Sequence, residues 1–522
     1  MKMKLYPGFL GLLAVVLFQF VSFSSKGAGR LSDEVQDTTK KPSASIPKAE
    51  QSVTQHKITI GGVSVAYTAT AGTLIVRNAK DTPYASIGYI AYIRNDITDP
   101  TCRPVTFAYN GGPGSSSIWL NMGALGPKRV VTNDPFFTPP PPYKVVDNDF
   151  SILDKTDLVM IDAVGTGYSH AVGESKDKDF WSVDPDIESF ALFIRQYITE
   201  NGRWNSPKYL LGESYGTTRS AGIVDYLQTN EGISFNGVIL VSLATDLEIT
   251  YDDWLGYDYA APFALPTYTV IAWYHKVLPD PPVDIGPLLK EVRTFSLGDY
   301  SVALAQGNTI PDSVRKIIIE KLHRYSGIST DYIDKADMRI SSAQFANQLL
   351  NEHRETIGSL DARFSGVNFN PLDKNALYDP FDAATRGAFS AAFLDHIHRD
   401  LKISLNKNYL FQNLDANSSW DFKHKVIADG TLQPMVNTSI DLAHAMGYNP
   451  NLKVLVLQGT YDLGTTFLAT EYMVSHLNLR KDLRSNIEIK YYEAGHMMYI
   501  HEPSLKKFKN DIATFIDGTS RQ

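Results

Sequence analysis

Residues 209–218, YLLGESYGTT, set Ser214 between two glycines, and a serine so placed is either a nucleophile or the cap of a helix. A GxSxG pattern arises by chance roughly 0.15 to 0.2 times in a chain of this size, so the pattern alone decides nothing. Its surroundings say more. Residues 208–211 read as a buried strand, and residues 217–228 as a helix with Ile223, Val224 and Leu227 on one face. A strand, a tight turn and a helix would hold the Ser214 hydroxyl at the tip of a strained elbow, where the flanking glycines leave room. A nucleophilic Ser214 then needs a base and an orienting acid, in the chain order Ser, Asp, His. Asp462 follows the apolar run LKVLVLQG, and His496 follows IEIKYYEAG, each just past a strand. Asp462 could instead close a turn and His496 could be an ordinary loop residue. His501 is a rival base, but it lies further from the strand end, against Glu502 and Pro503. The order and placement of all three groups favour acyl transfer through an acyl-enzyme, chemistry that needs no metal or organic cofactor.

Such a reaction also needs N–H donors aimed at the developing oxyanion. The residue after the nucleophile, Tyr215, would supply one. The glycine loop in FAYNGGPGSSS, with Gly111 and Gly112 after another apolar run, would supply the second from Gly112. A bare GGPG can also be no more than a turn; its place after a strand favours the functional reading.

The elements that must carry these groups alternate along the chain. HKITIGGVSVAYTATAGTLIV and ASIGYIAYIRN alternate apolar and polar residues around glycine turns, as paired antiparallel strands do. Short apolar runs and helical periods then succeed one another through FNGVILVSL and resume at LKVLVLQG. This predicts a mostly parallel sheet covered on both faces, with the strand order of an α/β hydrolase. Between the two stretches the alternation lapses, with amphipathic segments such as DSVRKIIIEKLHRY and SAQFANQLLNEHRETI. We therefore expect core segments at 56–244 and 429–522, with residues 245–428 forming a large helical cap over the sheet's C-terminal edge. The Tyr-rich YDDWLGYDYAAPF at its start could line the cleft.

Composition narrows the function. The 57 acidic residues outweigh the 49 basic ones, for a formal charge of −8, which gives no footprint for a nucleic-acid partner. Cys102 is the single cysteine, so an intramolecular disulfide and a cysteine-based zinc site are both excluded. Residues 1–28 combine a basic start, an apolar run over 5–23 and small residues, the pattern of a cleaved export signal, with a single membrane anchor as the alternative; residues 29–55 are polar and predict a linker. An exported chain without disulfides suits a bacterial periplasm or secretion, with no stable membrane insertion after signal cleavage.

The motifs NGGPGSSS (Asn110 to Ser117), IDAVGTGYS (Ile161 to Ser169), GESYG around Ser214, GTYDL around Asp462 and AGHM around His496 resemble, in order, those of the serine carboxypeptidases. The resemblance runs with gaps from about residue 56 to the end. It implies release of single residues from peptides with a free C-terminus, with Asn110, Gly111 and Glu213 binding the terminal carboxylate. Glu213 could do so if burial keeps it protonated, which implies a preference for acidic pH; alternatively it only favours the following helix's N-terminus. Trp119 and Met497 match positions near the leaving-residue pocket and would suit an apolar residue, though either could be plain core. The chain departs from the pattern twice: Ser115 stands where many members have a paired cysteine, and Ala124 where many have a second glutamate. An esterase or acyltransferase using the same triad is the alternative activity, and a binding protein with an inert triad the other.

Overall fold

The computed structural model describes residues 46–78, 80–250, 258–403, 405 and 407–520. The expected export signal, the first part of the expected linker and residues 251–257 of the Tyr-rich stretch lie outside the described residues.

Nine strands form the backbone of one sheet: β1 (Gln51–Ile60), β2 (Val63–Arg77), β3 (Pro83–Arg94), β4 (Val105–Tyr109), β5 (Asp157–Ile161), β6 (Lys208–Glu213), β7 (Gly237–Val241), β8 (Lys453–Gly459) and β9 (Ile487–Tyr492). Their spatial order is β1-β2-β3-β5-β4-β6-β7-β8-β9, and a short tenth strand, His170–Ala171, pairs with β3. The first three strands and the β3–β5 pair are antiparallel, with Tyr89 opposite Ile161. From β5 onward every pair is parallel. This is the antiparallel start and parallel continuation of an α/β hydrolase. β1 begins at Gln51 rather than at 56, because Gln51 to Gln55 pair with Gly72 to Thr68 and so extend the first hairpin into the stretch expected to be linker.

The parallel strands are apolar on both sides because both faces are covered. Leu210, Leu240 and Val456 face one apolar layer with helices α1 (Val183–Glu200) and α2 (Tyr215–Asn230). Tyr209, Leu211, Ile239 and Leu457 face the other, with Phe508, Ile512 and Ile516 of the final helix, Glu502–Thr519. Each large side chain so withdrawn from water contributes about 1.5–3 kcal/mol.

The segment expected as a cap packs into both apolar layers. Phe263, Ile318, Leu322 and Phe345 from the insert join the first apolar layer, and Phe364, Phe381 and Phe389 join the second. The helix expected through SAQFANQLLNEHRETI stops at Gln348. Arg354 takes a left-handed conformation (φ 55°), and Glu355–Ile357 pairs instead with Ser365–Val367 in a hairpin. A second small hairpin pairs His424–Lys425 with Leu432–Gln433. Among the described residues, no helix is long and apolar enough to cross a membrane.

Candidate active site

Parallel strands all release their following loops at one sheet edge. Asn110 follows β4, Ser214 follows β6, Ser242 follows β7, Asp462 follows β8 and His496 follows β9, so topology gathers them there. Ser214 sits between β6 and α2 with φ 60° and ψ −128°, backbone strain that a tight elbow imposes. Its N–H donates to the Val241 carbonyl at 2.9 Å. Gly212 is required here, since a Cβ on it would collide with the Gly216 carbonyl oxygen. Glu213 and Tyr215 are buried while Ser214 stays partly open.

Asp462 is fully buried, and four donors hold it. Oδ1 accepts from the Gly464 and Thr465 N–H groups at 2.8 and 3.0 Å; Oδ2 accepts from Thr465 Oγ1 and pairs with His496 Nδ1, both at 2.7 Å. Burial pulls the His496 pKa down, but the charge and hydrogen bond of Asp462, with Glu213 adding to them, leave it above the ordinary imidazole value. Ser214 and His496 both line each of two cavities. The first, about 400 Å³, includes Asn110, Gly111, Glu213, Trp119 and Met497; the second, about 350 Å³, includes Ala244, Leu247 and Leu463. Gly112 borders both, and Tyr215 borders the second. The nucleophile candidate therefore stands between two compartments, as a bond to be cut between two residues requires.

On the first side, Asn110 Nδ2 donates to Glu213 Oε1 at 2.7 Å, while Asn110 Oδ1 accepts from the Leu120 N–H at 3.1 Å. The Glu213 carboxyl is sealed from solvent, and burial pushes its pKa up to about 7 despite the opposing influence of His496, Tyr499 and Asn110. Ala124 is buried and brings no carboxyl group. Ser115 accepts from Trp119 Nε1 at 3.1 Å, so the hydroxyl fixes the indole that borders the cavity. His501 is elsewhere: it caps the final helix, pairs with Ser504 at 2.9 Å and borders a different cavity, of about 310 Å³.

Several supporting residues escaped the sequence reading. Arg219 on α2 is fully buried, pairs with Asp186 of α1 at 2.7 Å, and donates to the Asn110 carbonyl at 2.8 Å. Asp162, from the IDAVGTG loop, accepts from the Ser117 N–H and from the Tyr409 hydroxyl, both at 2.8 Å, and so ties the glycine loop to the insert. The insert segment from Ser359 to Arg363 wedges between the loops that carry Asp462 and His496. The Leu360 carbonyl accepts from the His496 N–H at 2.6 Å, and the Ser359 carbonyl accepts from the Leu463 N–H at 3.0 Å. Asp361 accepts from the Gly495 N–H at 3.0 Å and pairs with Arg363 at 2.6 Å. Beyond the IDAVGTGYS motif that contains Asp162, only lone charges in small-residue stretches, such as Arg219 in TTRSAG, hinted at any of this.

Residues 87–282 match the serine carboxypeptidase family. No curated protein sequence matches. Among solved structures, the prohormone-processing carboxypeptidase Kex1 of Saccharomyces cerevisiae superposes with a TM-score of 0.52 at 15% identity, over 87% of this chain and 91% of that one. Proline iminopeptidase of Mycobacterium smegmatis gives 0.35 at 13% identity, over 89% and 98%, and an aryl esterase described as putative from Burkholderia cenocepacia gives 0.34 at 12%, over 86% and 100%. The Kex1 superposition agrees with the fold traced above. With the family match across residues 87–282, it shows that the chain has the α/β-hydrolase fold and is similar over that stretch to the serine carboxypeptidases.

Proposed function

We propose that the protein removes single residues from the C-termini of peptides, with Ser214 as nucleophile, His496 as general base and Asp462 as its orienting partner. The observation that carries this reading is one cavity shared by Ser214, His496 and the Asn110–Glu213 pair. His496 takes the Ser214 proton as the hydroxyl oxygen attacks the last peptide carbonyl, and Asp462 stabilises the imidazolium that forms. The N–H groups of Gly112 and Tyr215 hold the oxyanion. His496 then protonates the leaving amine, and water releases the acyl-enzyme by the same route.

The departing residue occupies the first cavity, where its carboxylate meets Asn110, the Gly111 backbone and Glu213, and its side chain lies near Trp119 and Met497. Glu213 is protonated below about pH 7 and can donate to that carboxylate; ionised at higher pH, it repels it. Peptide cleavage is thus favoured on the acidic side. The residue that stays behind as the acyl group occupies the second cavity, beside Leu247 and Leu463. The pattern of residues 1–28 supports a place outside the cytoplasm.

The test is hydrolysis of an N-blocked dipeptide as free acid and as C-terminal amide from pH 4 to 8. Release from the acid only, lost in Ser214→Ala, is the expected result. Equal turnover of both forms, or turnover of esters alone, overturns carboxylate recognition and points to an esterase or acyltransferase on the same residues.

A further inference from the structure

Glu213 has two carboxyl oxygens, and the residues around them are unequal. Oε1 is held by Asn110 Nδ2 at 2.7 Å. Oε2 is shut away from solvent without a hydrogen bond of ordinary geometry, and so is the hydroxyl of Tyr499. The two lie close enough that each perturbs the other's titration, and Asn110 acts on the same hydroxyl. Tyr499 stands three residues beyond His496 in the turn Met498–Ile500 and is buried. Its ring takes the space over Gly123, where a Cβ would run into the ring edge. Gly123 therefore clears room for the phenol, whose polar end meets the Glu213 carboxyl.

We propose that Tyr499 is a positioning residue of the terminal-carboxylate site, its hydroxyl serving as the partner of Glu213 Oε2. The inference rests on the carboxylate-binding role given to Glu213 above. A phenol suits the task in both states of the acid: it can accept from a protonated Glu213, and it can rotate to donate when Glu213 is ionised. Donation to the ionised form holds the Glu213 pKa below the value that burial alone would impose. The other groups acting on this carboxyl are His496, which also favours ionisation, and Asp462, which opposes it. Tyr499 does not border the cavity that holds Ser214, so it acts through Glu213.

The test is Tyr499→Phe, which keeps the ring over Gly123 and so keeps the fold, with the melting temperature as a check. Without the hydroxyl donor Glu213 stays protonated to higher pH. The fall in kcat/KM for a free-acid peptide above neutral pH should then move up by about one pH unit, while kcat for an ester lacking a free carboxylate stays within about twofold at pH 7. An unmoved fall, or an equal loss on ester and peptide, overturns the proposal. Glu213→Gln, run alongside, separates the two claims. If Glu213→Gln, which keeps a donor but cannot ionise, abolishes the fall above neutral pH and Tyr499→Phe leaves the profile unmoved, only the role of Tyr499 fails. If Glu213→Gln leaves that fall in place, both fall together.

Discussion

Gly111→Ala tests whether the glycine loop and the serine elbow form one rigid constellation. A Cβ at this position would lie 2.5 Å from the Tyr215 nitrogen, 2.6 Å from the Gly216 nitrogen and 2.7 Å from the Glu213 carbonyl oxygen. All three are backbone atoms on either side of Ser214, and none belongs to a flexible side chain that could swing away. Ordinary contact begins near 3.4 Å, so the loop and the elbow must part by about 0.9 Å, and a displacement of about 1 Å costs about 10²-fold in rate. The displaced groups include both N–H donors assigned to the oxyanion, and loss of one such donor costs about 10²–10³ in kcat. The cost in stability is smaller, about 1–3 kcal/mol for an overpacked site. We expect kcat to fall by about 10²–10³ on ester and free-acid peptide alike, with fluorophosphonate labelling of Ser214 slowed in parallel. Gly447→Ala is the control, because nothing lies within 4 Å of a Cβ there and the glycine is on a helix. A folded Gly111→Ala enzyme with kcat within about threefold of wild type would refute the argument, because the clash must then be relieved without moving the donors.

Asp462→Asn should lower kcat by about 10⁴: its amide oxygen still suits the Gly464 and Thr465 N–H groups, leaving an NH₂ facing His496 Nδ1 and the wrong imidazole tautomer. Steady-state ester kinetics with binding of an unreactive peptide as control decide it, and a loss below about tenfold counts against Asp462 as the orienting acid. In Glu213→Gln, a charge that helps hold His496 protonated is gone. His496 must be neutral to accept the Ser214 proton, so the rise of ester kcat/KM with pH should shift to lower pH; an unshifted rise would show that the two groups do not sense one another. Asp361→Ala takes the buried acceptor from the Gly495 N–H and leaves Arg363 with Asp134 alone, at a cost below the about 3–5 kcal/mol of a fully broken buried pair. Denaturant midpoints should fall accordingly and labelling of Ser214 should slow in the protein that remains folded, whereas wild-type labelling would show that the insert does not position His496.

What could be read from the sequence follows a physical division. Ser214, Asp462 and His496 were legible because a parallel sheet sends every βα loop to one edge, so an apolar run followed by a polar residue already gives a location. Gly111 and Gly112 were legible for the same reason after β4. The insert was not, since its contacts are distant in sequence: Leu360 bonds His496, and Asp162 bonds Tyr409. Helical periodicity also misled at residues 342–357, where the apolar spacing suits a helix but left-handed Arg354 and the pairing of Glu355–Ile357 end it. Tyr499 was hidden for a different reason. A tyrosine three residues past a histidine carries no signal until the fold brings Gly123 beneath its ring.

The insert is more than a cover. Ser359 and Leu360 border both cavities, and the same short segment bonds the backbone of His496 and of Leu463, beside Asp462. Asp361 and Arg363 anchor it, Arg363 reaching also to Asp134 at 2.7 Å. On the proposed function, the wall that flanks the residues on either side of the cut bond is continuous with the support of Asp462 and His496. A substrate that pushes on Leu360 pushes on the His496 N–H at 2.6 Å. Binding energy from the flanking residues can in this way be expressed in the placement of the imidazole, and so in kcat rather than KM alone. Poorly fitting peptides should lose turnover as well as affinity, a pattern that a lid without bonds to the catalytic loops would not produce.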